Sequence, residues 1–417
     1  MAMRLLAAVG ILMVVLFLGC GKQTEQKTVW SLLGGTADEM FSAVAVDSSG
    51  NVYAVGTTNS YGFGSNDILL AKFDAKLKLQ WAKAVGDSNT QTPVGIAVTS
   101  DAVYVCGIEQ THGFLAKFDK DGNLQWAKSW SDGNVDTLKS MAVYGSYVYV
   151  VGSTSTNSMD AIVVKFGTDG SHYWSQQWGG SGSDSLNALL YAGGVLWCVG
   201  YTASTATYDV AVIKVTSLTA SPTLDGQWAF DGGGDDRAFA ALLSGSSLTV
   251  AGWSDSFGSG YRDVVLAELN ISLATPTITW AKFCDVGANC GVTGLSTTPS
   301  GLYAICGSRD NKPLYLEAKA NAQIYPYAYG GPNVTQGAFT DAASGAGHLY
   351  LACWAENCEN FWSSLTGTVD DANLFSSSIN LSWTAVSPLV TNITTWLSVD
   401  VSPSGSGGLE GIVVRPY

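Results

Sequence analysis

The chain has 417 residues, a net charge of −14 and only 13% charged side chains, while 48 glycines and many Ser and Thr residues supply much of its polarity. Such an acidic chain lacks the basic footprint of a nucleic-acid binder, so its partners are expected among proteins, glycans, cations or small ligands. Low charge and frequent glycine suit an all-β protein with many tight turns.

The first residues form a separate unit. Arg4 precedes an apolar run from Leu5 to Leu18, and Gly19-Cys20 follow at once. The run is shorter than the ~20 residues of a comfortable membrane span. A basic start, an apolar middle and a small residue before the cut make a secretory signal. Phe17 to Cys20 resemble a bacterial lipobox, with Phe17 where Leu is usual. That resemblance implies a signal peptide over 1–19, a lipid on Cys20, a tether over 20–28 and a folded domain over 29–417. The expected location is exported and membrane-anchored, facing the periplasm or the cell exterior.

Beyond the tether, short strands recur with no helical period between them. Val29 to Leu32 reads as an outermost strand with nothing before it. Ser42 to Asn51 is an innermost strand ending in an Asp-Ser-Ser-Gly-Asn turn, where glycine accepts the positive φ of a tight reversal. A second strand of the type NVYAVG ends at Gly56, Gly107, Gly152, Gly200, Gly252, Gly307 and Trp354. A third begins at Asp67, His112, Asp160, Asp209 and Asp263 and carries a basic residue five positions on, at Lys72, Lys117, Lys165 and Lys214. Its hairpin leads to an outer strand bearing Trp81, Trp126, Trp174, Trp228 and Trp280. A four-stranded meander cannot bury both of its faces alone, so such units stack around an axis and close into a propeller.

Seven second strands are visible, and the chain from Ala355 to Tyr417 exceeds what one blade still needs. Eight blades are favoured. Asn360–Gly367 and Leu381–Val386 would complete a degenerate seventh, and Trp396–Arg415 would build an eighth. In the seven-blade alternative, roughly residues 360–403 are an insertion. In both, Val29–Leu32 joins the last blade and clasps the chain ends.

The unit from Asp38 to Gly86 resembles the bacterial β-propeller repeat family called SBBP, through its Asp-Ser-Ser-Gly-Asn turn, its Val-Tyr-x-x-Gly-x-Thr strand end and its Asp-led third strand. The resemblance implies a secreted propeller and no particular reaction. A fainter similarity, to quinoprotein-type repeats that include an eight-bladed outer-membrane assembly lipoprotein, raises an envelope-assembly scaffold as one possible role.

Several motifs invite chemistry. Asp119 to Asn123 has the composition of a calcium loop but not the EF-hand spacing, and reads as a hairpin turn. Asp231 to Asp236 is an acidic inter-blade loop that either stays solvated or holds a cation. The recurring lysines either ring an anionic ligand or lay their stems over the blades, and recurrence favours the second. The recurring tryptophans fill the widening wedge between blades. Cys106, Cys198 and Cys306 are buried hydrophobes. Cys284 with Cys290, and Cys353 with Cys358, flank short loops that an exported chain could close as disulfides. Tyr201, Trp253 and Trp354 fall just past a second strand, and Tyr61 lies in a neighbouring loop. Exposed on one loop face, these four would form a platform for a protein or glycan.

No catalytic motif, metal-ligand spacing or cofactor signature is present. The leading expectation is a non-enzymatic, monomeric binding or scaffold module that meets a membrane only through its lipid. A polysaccharide-active enzyme with carboxylates in the central funnel is the alternative.

Overall fold

A computed structural model describes residues 13–15, 26–155, 158–203, 207–258, 260–319, 324–329, 336–355, 362–364, 368–371, 375–379, 381–401 and 410–415. The chain is a single all-β propeller of seven blades. Blade 1 runs outward through Glu39–Val46, Val52–Thr58, Asp67–Phe73 and Leu79–Gly86, each pair antiparallel. Blades 2 to 6 repeat this order over 91–131, 135–179, 185–231, 236–285 and 290–329.

Blade 7 is built from three parts of the chain. Gly337–Gly345 and His348–Ala355 are its inner strands, Glu410–Arg415 is the third, and Gln26–Leu33 is the fourth. Trp30 pairs with Val414, so the N-terminal strand does clasp the last blade. Met13–Val15 pairs on its outer edge.

The expected eighth blade is not formed among the described residues. Six short strands between 362 and 400 form a belt around the outside of the ring instead. Trp362–Ser364, Thr368–Asp371, Phe375–Ser378, Ser382–Val386, Leu389–Asn392 and Leu397–Asp400 each add a fifth, antiparallel strand, to blades 6, 5, 4, 3, 2 and 1 in turn. The belt therefore retraces the ring backwards before the chain enters blade 7. This is the seven-blade alternative, with the insertion wrapped around the scaffold. Trp396 anchors it: the indole packs edge-on against Phe114 at 5.1 Å and its Nε1 donates to Glu109 Oε1 at 2.9 Å.

One local device explains the recurrent glycine of the second strand. Every inner strand carries a bulge at the same place, at Ser42, Val94, Lys139, Asn187, Phe239, Thr293 and Thr340. A bulge kinks its strand toward the neighbour. A Cβ on Gly152 would stand 1.8 Å from the Thr137 carbonyl, and one on Gly200 1.9 Å from that of Ser185. In blade 7 the pairing puts Cys353 opposite Phe339, in the glycine's place, so the second strand is in register with Cys353 rather than Trp354. Three bulged side chains tie each blade to the next: Asn187 Nδ2 donates to Ala238 O, Thr293 Oγ1 to Phe339 O and Thr340 Oγ1 to Phe41 O, at 2.7–2.8 Å.

Near the outer strands a second tie recurs. Lys72 Nζ and Trp81 Nε1 both donate to Lys120 O in the next blade, and Lys117 Nζ and Trp126 Nε1 both donate to Thr168 O. Lys165 Nζ reaches Leu218 O at 2.7 Å, and Arg415 Nη1 reaches Ala75 O at 2.7 Å across the closure. Each ammonium also lies over the tyrosine one strand inward, such as Tyr53 or Tyr104. The basic series is thus a set of blade-to-blade latches rather than a ligand ring. Lys214 departs from it and pairs with Asp225 at 2.6 Å.

Trp396→Ala is expected to destabilise the protein by ~3–5 kcal/mol, because a buried indole and its hydrogen bond leave together. Leu389→Ala, on a belt side chain 70% exposed, should cost under ~0.5 kcal/mol. Equilibrium denaturation of the two variants tests whether the belt is an integral part of the fold.

Candidate functional site

The meander sets which parts of each blade can meet a ligand. Connections from second to third strand, and from one blade to the next, open on one face of the ring. The tight turns within the other two hairpins open on the opposite face. The first is called the loop face here, the second the turn face.

On the loop face, blades 4 and 5 bring together two of the four aromatics singled out in the sequence. Arg237 pairs across the strands with Trp253. Its guanidinium lies 3.6 Å from the ring centre of Tyr208, 4.9 Å from Tyr201 and 5.2 Å from Trp253. Arg262 covers Trp253 from the other side at 4.3 Å, and Phe239 stacks on it. A small, mostly apolar crevice runs beside this cluster, lined by Val210, Phe230, Ala238, Val250 and Trp253. Yet Tyr201 is only 6% exposed and Trp253 only 7%. They are packing residues beneath two arginines, not an open platform. Tyr61 and Trp354 are half-buried in blades 1 and 7; Tyr61 Oη donates to Gly34 O at 3.4 Å and so closes its own loop.

The open aromatic surface lies on the turn face, where the sequence reading did not look. Tyr144 is 58% exposed and Tyr173 53%, with Tyr147 and Tyr191 half-buried between them. Tyr144 stacks on Tyr191 of the next blade at 4.1 Å, and Tyr147 meets Tyr173 edge-on at 5.3 Å. Beneath them the latch ammonium of Lys165 sits 3.5 Å from the Tyr147 ring centre and 5.3 Å from that of Tyr173. Burial lowers the Lys165 pKa. The rings are therefore held in place before any ligand arrives. The available signal was the spacing Tyr144, Tyr147, Tyr149 in one hairpin with Tyr173 and Tyr191 on neighbouring turns.

The acidic motifs resolve into turns and loop caps. Asp119 Oδ1 accepts from the N–H groups of Asp121 and Asn123, both at 2.9 Å, so this segment is a hairpin turn. Asp231 and Asp236 accept from Gly233 N and Gly232 N, which folds their loop upon itself. Among the described residues no three His, Cys, Asp or Glu side chains converge on a metal position. Cys353 is buried, and Cys284 and Cys290 are buried free thiols, so the possible bridge between those two is not formed. Those two share one apolar cluster at the junction of blades 5 and 6, and burial pushes both thiols up to about 12. Cys358 and Cys20 lie outside the described residues.

The architecture defines a seven-bladed β-propeller. A family model described as a β-propeller repeat, SBBP, matches residues 31–64, from the end of the closing strand through the first two strands of blade 1. No curated protein matches the chain. Among solved structures, Sqt1 of Chaetomium thermophilum bound to the N-terminus of ribosomal protein L10 is similar at 11% identity, over 77% of this chain and 96% of that one, with a TM-score of 0.43. A putative 6-phosphogluconolactonase from Bacteroides uniformis is similar at 13% identity, over 74% and 92%, with a TM-score of 0.45.

Several carboxyls titrate away from the usual range, and two of them reach about 7. Burial, and then the neighbouring Asp285, push Asp263 up to about 7. Burial pushes Asp341, beside the bulge of blade 7, up to about 7 against its bonds from Val44 N and Ala342 N. A carboxyl raised in the folded state favours folding below its unfolded value near 4, and that contribution is lost as pH rises through about 7. Stability should therefore fall between pH 5 and pH 8. Asp263→Asn should flatten the decline, as urea midpoints measured across that range will show.

Proposed function

We propose that this chain is an exported, lipid-anchored binding module without catalytic activity of its own, and that it takes a protein or glycan ligand on its turn face. The observation that carries the reading is the preformed tyrosine surface of Tyr144, Tyr147, Tyr173 and Tyr191. Tyrosine offers a large, rigid contact area with a polar tip at low entropic cost. Here the stacking of Tyr144 on Tyr191 and the ammonium beneath Tyr147 remove part of the remaining freedom. Binding to such a surface loses little conformational entropy.

The propeller supports this role by its stiffness, since hub bonds and latches join blade to blade. The anchor rests on the sequence of the first twenty residues. Lipid on Cys20 would leave only a short tether before Gln26–Leu33 enters blade 7, which keeps the ring close to the membrane.

Two experiments test the reading. Replacing Tyr144 and Tyr173 together by Ala should weaken capture in a glycan array or envelope pull-down at least ~30-fold, the loss expected of a hot-spot pair, while the melting temperature stays unchanged. Undiminished capture would put the ligand elsewhere. Cys20→Ala should abolish fatty-acid labelling and move the protein out of the membrane fraction.

A further inference from the structure

The blade junctions on the loop face hold carboxylate and amide oxygens that the fold leaves without donors. The clearest case joins blades 1 and 2. Asp67 and Gln91 expose no surface. Asp67 Oδ2 accepts from Phe63 N at 2.8 Å and Gly64 N at 3.0 Å, which caps the loop before it. Gln91 Nε2 donates to Asp87 Oδ1 at 2.9 Å and Glu109 Oε1 at 3.1 Å, which fixes the orientation of the amide. The two remaining oxygens, Asp67 Oδ1 and Gln91 Oε1, have no hydrogen-bond partner. They converge: a Cβ on Gly86 would stand 2.1 Å from the first and 2.3 Å from the second.

Two buried acceptors facing one space repel unless something positive lies between them. The ion pairs among the described residues involve none of Asp67, Asp87 and Glu109. The arrangement recurs between blades 3 and 4. There a Cβ on Gly179 would stand 2.2 Å from Asp160 Oδ1, which has no partner, and 2.8 Å from Asp184 Oδ2, which also accepts from Gly180 N at 2.9 Å. In both places a glycine ends the outer strand, where a Cβ would collide with these oxygens.

We propose that these two junctions are binding sites for a hard divalent cation of the calcium class, which ties the third strand of one blade to the inner strand of the next. The donors are all oxygen, from carboxylate and amide, and that set selects calcium over zinc or copper. With so few carboxylates the affinity is modest, with a Kd on the order of 0.1–1 mM, as in extracellular modules. The sites lie on the face opposite the tyrosine surface, so they stiffen the scaffold and do not touch the proposed ligand.

The test uses the full chain, stripped with chelator and then titrated with calcium chloride, against magnesium chloride and sodium chloride at matched ionic strength. Calcium at 10 mM, far above the expected Kd, should raise Tm by roughly 2–3 °C per site, and calorimetry should show saturable heat. Asp67→Asn and Asp184→Asn should each remove about half of the shift, and the double variant all of it. No calcium-specific shift in the parent chain would overturn the proposal, and so would an undiminished shift in the double variant. Asn variants more stable than the parent in chelator, with calcium inert throughout, would show that the oxygens share protons instead.

Discussion

Everything in this molecule depends on closing a ring that no single stretch of chain can close. Six blades are continuous meanders, each covering one face of its neighbour. The seventh joins residues from the two ends of the chain, with Leu32 opposite Ile412 and Cys353 opposite that same Ile412 from the other side. Ile412, Val413 and Val414 are fully buried. Without this strand the inner pair of blade 7 has no outer partner, and blades 6 and 1 each expose an apolar face. The closure is thus a hydrogen-bonded and a hydrophobic event at once.

Around that closure the same contacts repeat at three radii. At the hub, bulged side chains cap a carbonyl of the next blade. Farther out, lysine and tryptophan donate to one shared carbonyl. At the rim, the belt pairs with each outer strand. The three layers do different work. Hub bonds set the angle between blades, because a bulge fixes where the inner strand bends. Latches bury ammonium stems over aromatic rings in a wedge too wide for short side chains. The belt covers six outer strand edges that would otherwise offer unpaired backbone to other chains.

The distinction between local and distant pairing decides what the sequence could disclose. Strands, turns and the recurring lysines and tryptophans were legible, because each recurs at a spacing set by its own hairpin, and so was the N-terminal clasp; that the lysines reach a carbonyl of the next blade was not. The Gly of the second strand was legible as a signal, though not its cause, since the bulge opposite it has no compositional mark. The eighth blade was a misreading with a physical origin. Segments such as Ser382–Val386 and Trp396 onward have strand composition, and nothing local tells a blade strand from a belt strand that pairs with residues about two hundred to three hundred positions earlier. The candidate site suffered in the same way. Tyr201 and Trp253 stood out as aromatics past a glycine, but the Arg237 that covers both comes from the inner strand of blade 5, and Tyr201 belongs to blade 4. Tyr144 and Tyr191 were visible as tyrosines, while their stacking exists only across the junction of blades 3 and 4.

The belt also constrains the order in which the structure can form. Its strands are three to five residues long, too short to persist without a preformed edge. Each needs the outer strand of a finished blade, so the belt docks after the blades. The strand at 410–415 follows the belt in sequence, so the ring reaches its final closure only once the belt has travelled from blade 6 back to blade 1. Closing so many residues late is slow, because long-range contacts pay the loop entropy before they return it. It also means that blade 7 stays open, and its apolar inner strands exposed, until the whole chain has been made.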